Sequence, residues 1–180
     1  AVYERGYERQ GTHRAVRDMK KKDFVRILEE VALAAWHGDG RTTTVGEIQQ
    51  HCESSGLRKL LEVFEEGAEV GVTRLLMAFY FRQSSALRGN ERTFEFTHKS
   101  FGEYLTACRV VRALKKIHKA MAEREDDPDE GWDEREALAY WAGVCGPSQL
   151  DEYILSFLRD EIHLYPEEEV AHRQTTLTTL

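Results

Sequence analysis

The chain is poor in cysteine: Cys52, Cys108 and Cys145 are the three in 180 residues. They are odd in number and far apart, and no pair has metal or redox spacing, so a disulfide scaffold or a zinc finger is excluded. No apolar run approaches the roughly 20 residues of a membrane span. No signal peptide is visible. There is no G-x-x-x-x-G-K-[ST] loop to cradle a nucleoside triphosphate and no strand followed by an acidic pair to offer magnesium. Catalysis by this chain alone is therefore not expected. Basic charge is also in deficit: 25 Lys and Arg against 32 Asp and Glu give a net charge of −7. That balance argues against a dedicated nucleic-acid binder. No repeat of solenoid period is present.

What remains is an ordinary globular composition, with 41% hydrophobic and 32% charged residues. A chain of this length buries roughly 70% of its unfolded surface, enough for one or two cores. It opens on Ala1 and closes on a polar run, residues 174–180, which gives the expectation of a segment from a longer polypeptide. Residues 14–22 carry five bases and one acid and are expected as a solvated loop and helix start. Phe24, Ile27, Leu28, Val31 and Ala35 follow a helical period, with Gly38 and Gly40 expected to end that helix in the left-handed conformation. Thr44-Val45-Gly46-Glu47 is a capping box that opens a second helix, to about Glu53. Gly56 makes a turn, and Leu57, Leu60, Leu61 and Phe64 mark a third helix closed by Gly67. Leu75, Met77, Phe79 and Phe81 alternate as in a strand, and residues 83–92 are expected as a long mobile loop before a second strand at Phe94. Three helices followed by a hairpin is the order of a winged helix.

The run Phe94-Glu95-Phe96-Thr97-His98-Lys99-Ser100-Phe101-Gly102-Glu103-Tyr104-Leu105-Thr106-Ala107 carries the most information. Phe94 and Phe96 share one strand face. Ser100 with Glu103 three residues on is expected as a capping box. The long helix that follows puts Phe101, Tyr104, Leu105, Cys108, Val111, Leu114, Ile117 and Met121 on one stripe. His98 then lies within a residue or two of a helix N-terminus, where free N–H groups and the dipole favour an anion. An imidazole there donates one hydrogen bond when neutral and two when charged. On spacing alone, a histidine packed at a strand end and bonded to a carbonyl is the commoner outcome.

This run resembles the F-x-H-x-S-F-x-E-Y-x-x-A signature of the winged-helix module in STAND-class NTPases with a NACHT core. The likeness is strongest over about residues 22–121, dense over 94–107, supportive over 28–36 and 74–82, and fades beyond the acidic linker at 123–131. It implies that His98 contacts the β-phosphate of ADP and holds a closed state. It further implies that ADP or ATP with magnesium is bound by a core elsewhere in the parent polypeptide, with no cofactor and no metal site in this chain. The implied partners are that NTPase core and, on activation, further copies of the full-length protein. The implied setting is cytoplasmic signalling, with bacterial antiviral defence as the usual context.

The expected fold class is mainly α with a small β-hairpin. Residues 1–122 are expected to form a winged-helix domain, with its wing at about 74–97 and its long helix at about 101–122. An acidic linker at 123–131 and a C-terminal helical segment at 132–180 complete it. In that segment Trp132, Leu138, Trp141, Ala142 and Cys145 are assigned to one stripe. Pro147 is expected to open a second helix with Leu150, Tyr153, Ile154, Phe157, Leu158 and Ile162 on its stripe, and Pro166 a third. Weaker constellations read as structure: residues 37–42 as a helix C-cap rather than a phosphate loop, adjacent His51 and Cys52 as unable to chelate one ion together, and Cys145 with His163 as unsupported for nucleophilic catalysis. Two other classes are a DNA-binding winged helix, using Arg58, Lys59, Arg88 and Arg92, and a protein–protein adaptor. The glutamates at 62, 65 and 66 charge the candidate recognition helix poorly for DNA. No salt-dependent mobility shift is expected at low salt; a clear shift would favour the DNA class.

Overall fold

The computed structural model describes residues 20–38, 41–61, 81–146 and 148–180. The expected basic segment at 14–19, the end of the third helix and most of the first expected strand (residues 74–80) lie outside the described residues. Within them the order is α1 (Lys21–His37), α2 (Val45–Ser54), α3 (Arg58–Leu61), β1 (Phe81–Arg88), β2 (Glu91–Phe96), α4 (Lys99–Asp126), α5 (Glu134–Cys145), α6 (Glu152–Ile162) and α7 (Glu167–Thr179). The protein is mainly helical with a small antiparallel sheet. Two compact units divide at Gly102/Glu103, inside α4.

In the first unit, α1 is buried round most of its circumference, two glutamates (Glu29 and Glu30) included. Its expected stripe, Phe24, Ile27, Leu28, Val31 and Ala35, is fully inside. The helix stops at His37, but Gly38 is extended (φ −74°), not left-handed. Glycine is required there because a Cβ would sit 1.8 Å from the carbonyl oxygen of Thr42. Among the described residues of this loop Arg41 is left-handed, φ 62°. Thr44 caps α2 as the capping box predicts: its hydroxyl accepts from the Glu47 N–H (3.2 Å), and Glu47 accepts from the Thr44 N–H (2.8 Å). Ile48 and Cys52 turn inward from α2, and Gly56 (φ 74°) makes the expected turn.

The hairpin differs from the expectation. Residues 83–92 are not a long loop but the facing ends of two strands joined by the two-residue turn Gly89-Asn90. Gly89 takes φ 62° as the first central residue, the glycine position of a type II′ turn. Phe81 pairs with Phe96 and Arg88 with Glu91, with a register shift between Gln83 and Leu87. Such a bulge bends and twists the strand. Thr43 bridges β2 antiparallel through two backbone bonds to Phe94 (2.9 and 2.7 Å), which makes it a minimal third strand.

A polar tie joins helix and hairpin. Arg88, beside the turn, donates to Glu47 and to the Thr42 hydroxyl (2.9 Å). The Glu47 carboxylate also accepts from the hydroxyl of Thr43 (3.1 Å). Burial alone would raise the Glu47 carboxyl, but the hydrogen bonds from Arg88 and the Thr44 N–H outweigh it and hold it below the usual 4.5.

In the second unit α4 runs on through the first acids of the expected linker to Asp126, then turns at Gly131. A Cβ on Gly131 would lie 2.1 Å from the Ala120 carbonyl oxygen, the same oxygen that accepts from the Trp132 N–H (2.9 Å). Asp133 and Glu136 form a capping box at α5. Helix α6 starts at Glu152 under an Asp151 cap, not at Pro147. Its buried residues are Ile154 and Leu158, while Leu150 and Tyr153 are exposed. The buried side of α5 is Ala137 and Val144, with Leu138 and Ala142 outside the stripe assigned to them. Leu105, Val111, Leu114 and Ile117 of α4 supply the largest share of this core.

Because Glu47 is held ionised in the folded state, its stabilisation is present above about pH 4.5 and is lost as pH falls through its lower folded value. We expect Glu47→Gln to be less stable than the parent chain near neutral pH and to show a flatter acid limb. Urea midpoints measured from about pH 6 to pH 3 check both; parallel acid limbs would contradict the assignment.

Candidate functional site

Beta-branched and aromatic residues over 91–96 favour a strand, and Phe94 and Phe96 turn their rings to the buried face. The strand ends at Phe96, Thr97 and His98 bend, and α4 begins at Lys99. Its first turn is closed by the Phe101 N–H, which donates to the His98 carbonyl (3.0 Å). Ser100 therefore sits inside the first turn, and the expected capping box at Ser100 and Glu103 is replaced by a start two residues earlier.

The corner is fixed by rings. Phe96 lies 4.1 Å from Phe81 and 5.8 Å from Phe101, the latter edge-on. Gly102 passes directly beneath: a Cβ there would meet Phe96 Cδ2 at 2.7 Å. A side chain at this position would collide with the Phe96 ring. His98 is exposed on the outside of this corner, beside exposed Lys99 and Ser100. The imidazole is thus neither packed nor covered, and it stands at the positive end of a 28-residue helix.

The other expected residues are dispersed. Arg88, weighed as a DNA contact, is instead engaged by Glu47 and Thr42. Arg58, Lys59 and Arg92 are exposed. His51 has Cys52 facing away from it into the core, where burial, with Glu30 and Glu53 nearby, pushes the thiol up to about 12. Its ring partner is His37 of α1, 5.3 Å between centres, on a cavity of about 290 Å³ that Glu47 and Arg88 also line. That pair is invisible to local spacing because the two rings come from different helices. Burial pushes Cys145 up to about 11, so its thiol is a poor nucleophile near neutral pH. Among the described residues no group of three or more His, Cys, Asp or Glu side chains is arranged to hold a metal ion, and no helix is long and apolar enough to cross a membrane.

No protein-family model, curated protein or solved structure matches the chain.

The tight fit of Gly102 against Phe96 generates a paired test. Gly102→Ala should destabilise the chain by about 1–3 kcal/mol through overpacking. Gly143→Ala, on α5 with open space around it, should stabilise by roughly 0.5–1 kcal/mol. Denaturant midpoints measure both, and the amide and ring resonances of His98 should move in the first variant only. Equal effects of the two substitutions would contradict the corner.

Proposed function

We propose that this chain is a non-catalytic regulatory module of a STAND-class NTPase with a NACHT core. In this reading the first unit is the winged helix, and the NTPase core of the same polypeptide binds ADP or ATP with magnesium. His98 donates a hydrogen bond to the ADP β-phosphate and holds the closed, autoinhibited state. The observation that carries the reading is the exposure of His98 at a ring-braced strand-to-helix corner. An imidazole buried in apolar packing could not reach a phosphate on a neighbouring domain; this one has a clear approach. The positive end of the α4 dipole and the adjacent Lys99 favour the same anion.

A hydrogen bond to a charged group contributes roughly 1.5–3 kcal/mol. That biases a two-state equilibrium about ten- to a hundredfold, a size suited to regulatory coupling. Exchange of ADP for ATP would shift the phosphate contacts, release the winged helix and allow the full-length protein to oligomerise. The setting proposed with it is cytoplasmic signalling, including antiviral defence in bacteria. The tie between Arg88 and Glu47 weighs against the DNA-binding alternative, because the turn arginine is already committed within the unit.

The test is His98→Ala in the full-length polypeptide. Chromatographic analysis of co-purified nucleotide should show ADP retention lowered by about ten- to a hundredfold, with raised basal activity. Unchanged nucleotide content together with unchanged activity would overturn the proposal.

A further inference from the structure

Two helices of the first unit end on histidine beside one cavity. His37 is the last residue of α1, and His51 lies in the last turn of α2. Ala34, His37 and Gly38 at the end of α1 and Glu47, Gln50 and His51 on α2 line a cavity of about 290 Å³, together with Arg88. Both imidazoles are half-buried. Their ring centres are 5.3 Å apart and their planes are tilted by 53°. The buried ring of Trp36 lies 5.3 Å from that of His37. Cys52, next to His51, is turned into the core and takes no part.

The distance between the rings has a chemical meaning. Two imidazoles bound to one tetrahedral ion through bonds of about 2.0–2.1 Å have their centres roughly 5 Å apart. The lone pair of a ligating nitrogen lies in its ring plane, so the ion must lie in both planes. Tilted planes cross; rings stacked face to face share no such point between them. His118 and His172 are of the stacked kind, 16° apart at 5.8 Å, and Nδ1 of His118 already meets the Thr176 hydroxyl at 3.0 Å. Charge at the His37–His51 cavity selects a cation. Both helices bring their C-terminal ends there, where the dipole is negative. The Arg88 charge is offset by Glu47, to which it donates. The Glu47 carboxylate also accepts from the Thr43 hydroxyl (3.1 Å) and the Thr44 N–H (2.8 Å), so it stays in that network. The chain therefore supplies two ligands here, in keeping with the absence of any three-residue cluster among the described residues.

We propose that His37 and His51 form a two-histidine site for a zinc-class divalent ion (Zn²⁺, Cu²⁺ or Ni²⁺) that clips the end of α1 to the end of α2. Imidazole nitrogen is a donor that these ions share and that magnesium and calcium, which prefer oxygen, do not seek. The cavity leaves the remaining coordination positions to water or a small anion. Two side-chain ligands hold an ion less firmly than the four of a closed structural site, so the clip is reversible and adds to a unit that already has its own apolar core. The site lies wholly within the first unit and does not depend on the role proposed for His98.

Calorimetric titration of Zn²⁺ into the 180-residue chain, with Mg²⁺ in excess, tests this and should show one equivalent bound. His37→Gln and His51→Gln should each weaken that binding by at least about tenfold, while His163→Gln, at an exposed histidine of the second unit, should leave it unchanged. Zn²⁺ should raise the urea midpoint of the parent chain and of neither single variant at the site. In spectra of the histidine rings of the parent chain, trace Cu²⁺ should broaden His37 and His51 together, a readout that needs no variant to fold. The proposal is overturned if no stoichiometric binding occurs, or if either single variant at the site keeps the parent affinity, since the ion is then held adventitiously by separate imidazoles. Broadening confined to one of the two rings would overturn it as well.

Discussion

The ring of Phe96 is the contact on which the rest of the first unit depends. It ends β2, packs at a tilt against Phe81 across the hairpin, receives the edge of Phe101, and lies against the bare backbone of Gly102. Four residues close in sequence or paired by register thus meet at the start of α4. His98 sits between the last of the strand and the first of the helix, so its position follows from packing one layer below it. The backbone that carries this side chain is thus ordered before any ligand is met, which lowers the cost of ordering the corner on binding.

A second theme is the use of polar groups where apolar ones would suffice for stability. Arg88, Glu47 and the threonines at 42–44 lock the tip of the hairpin to the start of α2. His118, Thr176, Arg173 and Tyr165 fasten α7 in the same spirit. Apolar burial is nearly indifferent to pH and ligand charge, whereas such networks respond to both. Each unit therefore carries an apolar core and a polar fastening beside it.

Local chemistry was the most legible part of the sequence. The Thr44 capping box, the Gly56 turn and the stripe of α1 appear where residue spacing put them, because each is decided within one or two turns of chain. The hairpin was misread because Leu87, Arg88 and Arg92 give no apolar alternation. Only the Gly89-Asn90 pair marked the turn, and a bulge broke the period beside it. The acidic run after residue 122 suggested a linker, yet α4 extends to Asp126, since helix propensity tolerates acids and proline enters only at Pro128. Pro147 gave way to Asp151 because a side-chain acceptor satisfies two N–H groups of the first turn, which proline cannot do. The exposure of His98 was not readable from its neighbours, nor were the pairs His37–His51 and His118–His172, which depend on helix packing at long sequence separation.

The central claim is that one imidazole on this corner meets a diphosphate held by another domain. Nitrogen-15 spectra of histidine-labelled full-length protein, recorded with and without ADP, examine that contact without relying on activity. The account predicts that the ring-nitrogen signals of His98 shift on ADP addition and that this shift is absent with adenosine. Signals of His98 that stay fixed while the protein binds ADP would contradict it.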